Sequence, residues 1–143
     1  MARDCLAAEG CKGSFELGLL LTDAGQMRAL HTRYLGVRSV TDVLSFPGEA
    51  KASSRASGGR HLGDIVICYP QARRQARALG HPLADELDLL LVHGLLHLLG
   101  YADRTPARRQ AMWQRQEQIL HGGVRRATGG GQRGSRIGRR AVN

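Results

Sequence analysis

Two histidines, His93 and His97, stand four residues apart in "HGLLHLLGYAD" (93–103), and Asp103 closes the stretch. On a helix, residues four apart share one face, so both imidazoles can point at a common ion. Gly100 suits a left-handed helix end that folds the chain back across that face. Asp103 is the first residue past this turn whose side chain is a competent third ligand. Three protein ligands leave one position for water, which is the arrangement of a hydrolytic rather than a structural zinc site. A cation there lowers the pKa of the water and polarises a phosphoryl or carbonyl oxygen. Ordinary core or surface histidines of apolar helices show the same spacing, so spacing alone leaves both readings open. Gly94, costing roughly 1 kcal/mol against alanine inside a helix, signals a packing or ligand-approach constraint. It also stands where HExxH carries its glutamate, so the general base of the common metallopeptidases is absent and peptidase activity loses support.

The elements that must position these residues follow from pattern and punctuation. "SFELGLLLTD" (14–23) is short and apolar and reads as a buried strand. "DAGQMRALHTRYLG" (23–36) places Met27, Leu30 and Tyr34 at helical spacing and stops at Gly36. "VTDVLSFP" (40–47) and "LGDIVICY" (62–69) are strands, separated by the small, polar, glycine-rich loop 48–61. Pro70 opens a helix in "PQARRQARALG". Pro82, with acids close behind it, opens the helix that bears both histidines and closes at Gly100. Thr105 is an N-cap and Pro106 a first helical residue for 105–120. The expected fold is α/β (α+β): one domain, with a small mixed sheet and helices packed around the central histidine-bearing helix.

At 143 residues and 42% hydrophobic, the chain suffices for one domain with a real core. No run of about 18 apolar residues is present, and no secretory signal is expected from "MARDCLAAEG". Cys5, Cys11 and Cys68 are an odd count without CxxC spacing, which fits a reducing cytoplasm better than a disulfide framework. The net charge is +9, yet residues 122–143 hold six arginines (125, 126, 133, 136, 139 and 140) and no acid. Residues 1–121 form the expected domain, only mildly basic. The arginine-glycine segment 122–143 cannot bury a core and is expected to be a disordered tail.

Three motifs in order, "TDVLSFP" (41–47), "LGDIVI" (62–67) and "HGLLHLLGY" (93–101), resemble the YbeY family of bacterial rRNA-maturation endoribonucleases. "ARRQARALGHPLADELDLLLVHGLLHLLGY" is similar to that family almost throughout, and "MWQRQEQIL" (112–120) is similar to its closing helix. The likeness covers roughly residues 15 to 120. It implies a metal-dependent, single-strand-specific endoribonuclease of 16S rRNA 3′-end maturation and ribosome quality control, with one Zn2+ per chain as the usual metal. It also implies single-stranded RNA, the ribosomal subunit and ribosomal proteins as partners, with no membrane and no small-molecule cofactor. The histidines become catalytic residues as well as ligands.

The chain departs from the family pattern HGxLHLxGYDH at the third histidine, which falls on Asp103, and at the aspartate before it, which falls on Ala102. If Asp103 ligates, a carboxylate shifts the preference toward harder ions such as Mn2+. If it points to solvent, the chain is an impaired RNA-binding or ribosome-biogenesis factor with a degenerate site. An arginine with a role in RNA handling in many members falls on Leu35, leaving Arg33 or Arg38 as substitutes. Arg73, Arg74 and Arg77 are further candidates for RNA contact, against the alternative of a solvated helix face. Thr41, Asp42 and Ser45 match the family near the site, with sheet-edge roles as the alternative. Asp64 is either an orienter of a ligand histidine or a turn-maker. His31, His61, His81 and His121 read as structural or exposed. Relatives begin with a further strand and helix, of which "ARDCLAAEG" resembles only the helix end.

Overall fold

The computed structural model describes residues 1–38, 40–48 and 60–127. The helix α1 (Ala2–Ala8) leads into β1 (Phe15–Thr22), followed by α2 (Ala24–Leu35) and β2 (Val43–Pro47). Then come β3 (Arg60–Cys68), α3 (Tyr69–Leu79), α4 (Leu83–Leu98) and α5 (Pro106–Ala127). The three strands make one mixed sheet in the order β1-β3-β2, with β1 parallel and β2 antiparallel to β3. It is the small mixed sheet with surrounding helices that the pattern indicates.

Because side chains alternate along a strand, the central β3 feeds two cores. Ile65 and Ile67 pack with Leu89, Leu90, Val92, Leu95 and Leu96 of α4. Val66 and Cys68 pack on the other face with Met27 of α2 and Leu44 of β2. α4 is apolar nearly all round and packs against the sheet, α1, α3 and α5. It is the central helix, and its burial fixes where the histidines lie.

Local signals set the ends. Asp23 Oδ1 accepts from the Gln26 amide at 2.7 Å in a capping box, and Gly36 closes α2 at φ +68°. Thr105 Oγ1 accepts from the Arg108 amide at 3.2 Å, capping α5 as expected. Gly100 lies at φ +103°, immediately after the C-cap Leu99, and turns the chain off α4.

Three expectations need correction. β1 is not buried: Leu19, Leu20 and Leu21 are 53, 55 and 50% exposed, because this edge strand packs chiefly on β3, whereas the other edge strand, β2, is covered by α4. β3 begins at Arg60 and so takes in the last two residues of the expected loop 48–61; positions 49–59 lie outside the described residues. α5 runs through Gly122 to Ala127, into the segment assigned by composition to the tail, whose remainder (128–143) lies outside the described residues. Among the described residues no helix is long and apolar enough to cross a membrane.

Candidate functional site

His93 and His97 meet on one face of α4 near its C-terminal end, one buried and one half-buried. Their Nε2 atoms are 3.1 Å apart, with ring planes at 78°. The remaining ring nitrogen of each is engaged. His97 Nδ1 is 3.1 Å from the backbone carbonyl of Tyr101, an atom that only accepts, so His97 carries its proton on Nδ1 and a lone pair on Nε2. His93 Nδ1 lies 3.0 Å from Gln116 Oε1 of α5, which likewise accepts. With both Nδ1 atoms donating, two Nε2 lone pairs face one another across 3.1 Å.

In that tautomeric state the pair offers two ligand atoms to a cation. Two nitrogens about 2.0–2.1 Å from a tetrahedral zinc are themselves about 3.3 Å apart. The spacing seen here therefore fits two edge ligands of one ion. Burial, and next the neighbouring His97, lower the His93 pKa to about 4, against the opposing pull of the Gln116 hydrogen bond and the Asp103 charge. His93 is thus neutral near pH 7, the form in which imidazole ligates.

The turn after α4 is held from a distance. Tyr101 Oη donates to Glu9 Oε2 at 2.9 Å, and the guanidinium of Arg115 donates to Glu9 and to the Ala8 carbonyl. This links the end of α1, the turn and α5, and it fixes the Tyr101 carbonyl that orients His97.

Asp103 sits farther along the same turn, half-buried, its carbonyl accepting from Arg109 Nε at 3.4 Å. Its charge acts on His93. Among the described residues, however, no three His, Cys, Asp or Glu side chains are gathered closely enough to hold a metal. The structure brings His93 and His97 together and leaves Asp103 beside them.

A cleft of about 280 Å³ opens onto the pair, lined by Leu35, Val43, Ser45, Pro47, His93 and Leu98 among others. Ser45 therefore lies at the site, its hydroxyl donating to the Gly94 carbonyl at 3.0 Å. Thr41 and Asp42 do not line the cleft. They are buried together, and Gln75 Nε2 of α3 donates to Asp42 at 3.3 Å. Asp64 lies against a different cavity, between α2 and the sheet, beside Tyr34 and Phe46. It orients neither histidine of the pair, since Gln116 and Tyr101 take that role. Arg38, Arg73, Arg74 and Arg77 are all exposed, and none lines the cleft. Leu35 does line it.

Of the other histidines, His81 pairs with Glu86 at 2.6 Å and His121 with Glu117 at 2.8 Å. His31 is buried and His61 exposed. Gln116 and the Tyr101 carbonyl were missed by sequence reasoning. The one signal for Gln116 was an amide at a position of α5 that the packing buries, and a backbone acceptor leaves no signal at all.

Comparison with known proteins adds the lineage. The family model described as Endoribonuclease YbeY matches residues 1–123. Endoribonuclease YbeY of Moorella thermoacetica is 48% identical over 126 residues, covering 84% of this chain and 81% of that one. The protein of the same name from Thermobifida fusca is 44% identical over 110 residues, covering 75% and 71%. A solution structure of a Thermotoga maritima protein, 21% identical, shares the fold at a TM-score of 0.57 over 97% of this chain and 89% of that one. A family match over nearly all of the described chain, and relatives this similar over most of their length, place this protein in the YbeY endoribonuclease family.

Proposed function

We propose that this chain is an endoribonuclease of ribosomal RNA processing. It cuts single-stranded RNA in 16S 3′-end maturation and ribosome quality control, with His93 and His97 holding one divalent cation. The observation that carries this reading is the pair of Nε2 atoms 3.1 Å apart, each ring pinned through its other nitrogen. The family name of the relatives supplies the substrate class. Zinc is the first choice of metal, and Asp103 is the third ligand. Its place on the turn after α4 and its electrostatic action on His93 support that role. A carboxylate in this position also favours manganese.

A bound divalent cation supplies Lewis acidity at the scissile phosphate and lowers the pKa of water. The chain's own residues do the rest. His93 is held neutral by burial and aimed by Gln116, and His97 is aimed by the Tyr101 carbonyl. Leu35, Val43, Pro47 and Leu98 give the cleft apolar walls beside the pair. Arg38, Arg73, Arg74 and Arg77 give the exposed surface positive charge for the RNA backbone, and the tail 122–143 adds a sequence-independent hold. The ribosomal subunit is the partner. Residues 1–121 act as the catalytic domain, and three cysteines without a disulfide accord with a cytoplasmic site of action.

One observation favours a second reading. Asp103 is not gathered with the histidines into a three-ligand group among the described residues. A chain in which it never closes on them is an RNA-binding ribosome-biogenesis factor without cleavage. The two readings separate on a labelled single-stranded RNA incubated with the protein, with and without chelator. Cleavage that the chelator abolishes and His93→Ala abolishes supports the nuclease; RNA binding with no cleavage supports the factor.

A further inference from the structure

Gln116 stands apart from the rest of α5. Its side chain is 1% exposed, its Oε1 faces His93 Nδ1 at 3.0 Å, and its own Nε2 is buried with no hydrogen-bond partner. Nothing else in the described structure therefore dictates which end of the amide faces the imidazole. His97 has no such freedom, because the Tyr101 carbonyl against its Nδ1 only accepts.

We propose that Gln116 is a two-position positioning residue for His93. With its carbonyl oxygen on Nδ1, as seen here, it holds the His93 proton there and leaves the Nε2 lone pair free for a cation shared with His97. With the amide turned, the Gln116 nitrogen donates to Nδ1. The His93 proton then sits on Nε2 and is donated to the lone pair of His97 Nε2, 3.1 Å away. The imidazole is neutral in both arrangements, so a proton changes ring nitrogen and none is gained or lost. Each arrangement satisfies both histidines, one with an ion and one without. An amide does this because it presents a donor and an acceptor of nearly equal shape, whereas a carboxylate only accepts. Outer contacts of this kind set the tautomer and orientation of ligand histidines elsewhere in metalloproteins.

The inference rests on the metal reading of the pair, and its test has a readout of its own. Nitrogen-15 NMR of the histidine rings in the full chain, before and after addition of zinc, reports which nitrogen is protonated. His93 is expected to carry its proton on Nε2 without zinc and on Nδ1 with it, while His97 keeps Nδ1 throughout. In Gln116→Glu the carboxylate holds the His93 proton on Nδ1 in both states. Gln116→Met, of similar shape but only a weak acceptor and no donor at Nδ1, is expected to weaken zinc binding by about 10- to 100-fold in competition with a chromophoric chelator. A His93 tautomer that does not change with zinc in the native chain overturns the proposal, as does a Gln116→Met chain that binds zinc as tightly as the native one. If the native chain takes up no zinc at all, the metal reading fails. Gln116 is then judged on the metal-free tautomers alone: Nε2–H in the native chain against Nδ1–H in Gln116→Glu supports its role, and the same tautomer in both overturns it.

Discussion

The hydroxyl of Ser45 on β2 donates to the backbone carbonyl of Gly94 on α4 at 3.0 Å, stitching the sheet to the helix one residue beyond His93. That contact needs close approach. A Cβ on residue 94 would lie 2.9 Å from Ser45 Oγ and 3.0 Å from Ile65 Cγ2, a branch wedged in the core. Gly94 is thus a packing glycine, which resolves why a helix interior tolerates it.

Gly94→Ala sets two effects against each other. Alanine improves helix propensity by roughly 1 kcal/mol, and overpacking against Ile65 costs about 1–3 kcal/mol. Net destabilisation is expected, read as a lower urea midpoint with unchanged slope, together with weaker metal uptake as α4 lifts from β2. An alanine variant more stable than the native chain would show that the sheet yields.

Acid should destabilise the metal-free protein through His93. Its pKa falls from the ordinary 6.5 to about 4 in the folded chain, chiefly by burial. The unfolded chain therefore binds the extra proton first as pH falls, and stability declines between about pH 6.5 and pH 4. Above that window the effect vanishes; below it the loss from this group reaches about 3 kcal/mol. Chelator-treated native protein and His93→Gln, compared by urea unfolding at several pH values, test this. The variant is expected to lose the slope across the window, and equal slopes would rule out the assignment to His93.

Some of this site was legible in the sequence, because helical spacing encodes a shared face directly. A spacing of four from His93 to His97 sufficed to bring their rings together, and Gly100 and Thr105 marked the turn that follows. Gln116 was not legible. It reaches His93 only through the packing of α5 on α4, a tertiary fact that a local pattern does not carry. The same limit applies to Asp64, where an acid in a matching motif turned out to face the cavity beside α2. The apolar run of β1 misled for a related reason. Buried and edge strands share a composition, and only the sheet order reveals that Leu19, Leu20 and Leu21 lack a neighbouring strand on one side. The arginines of α3 were legible as charge but not as direction; Ala72, Gln75 and Ala76 turn inward and leave Arg73, Arg74 and Arg77 to solvent.

Leu35 offers a way to strengthen RNA binding. It is 60% exposed and lines the histidine cleft, where it contributes apolar wall and no charge. Leu35→Arg should raise affinity for single-stranded RNA at low salt. It should also steepen the slope of log affinity against log salt by about 0.7, the increment for one added phosphate contact on a single strand. Fluorescence anisotropy across a salt series reads both, and an unchanged slope would mean that the RNA backbone does not pass this wall.

The metal content of the untagged, purified chain, measured by elemental mass spectrometry beside that of His97→Ala, bears most directly on the histidine pair. Close to one divalent transition-metal ion per native chain, lost in the variant, is the result expected of two Nε2 atoms 3.1 Å apart with both rings pinned. A native chain that stays metal-free after incubation with zinc or manganese, or a variant that retains a full complement, contradicts it.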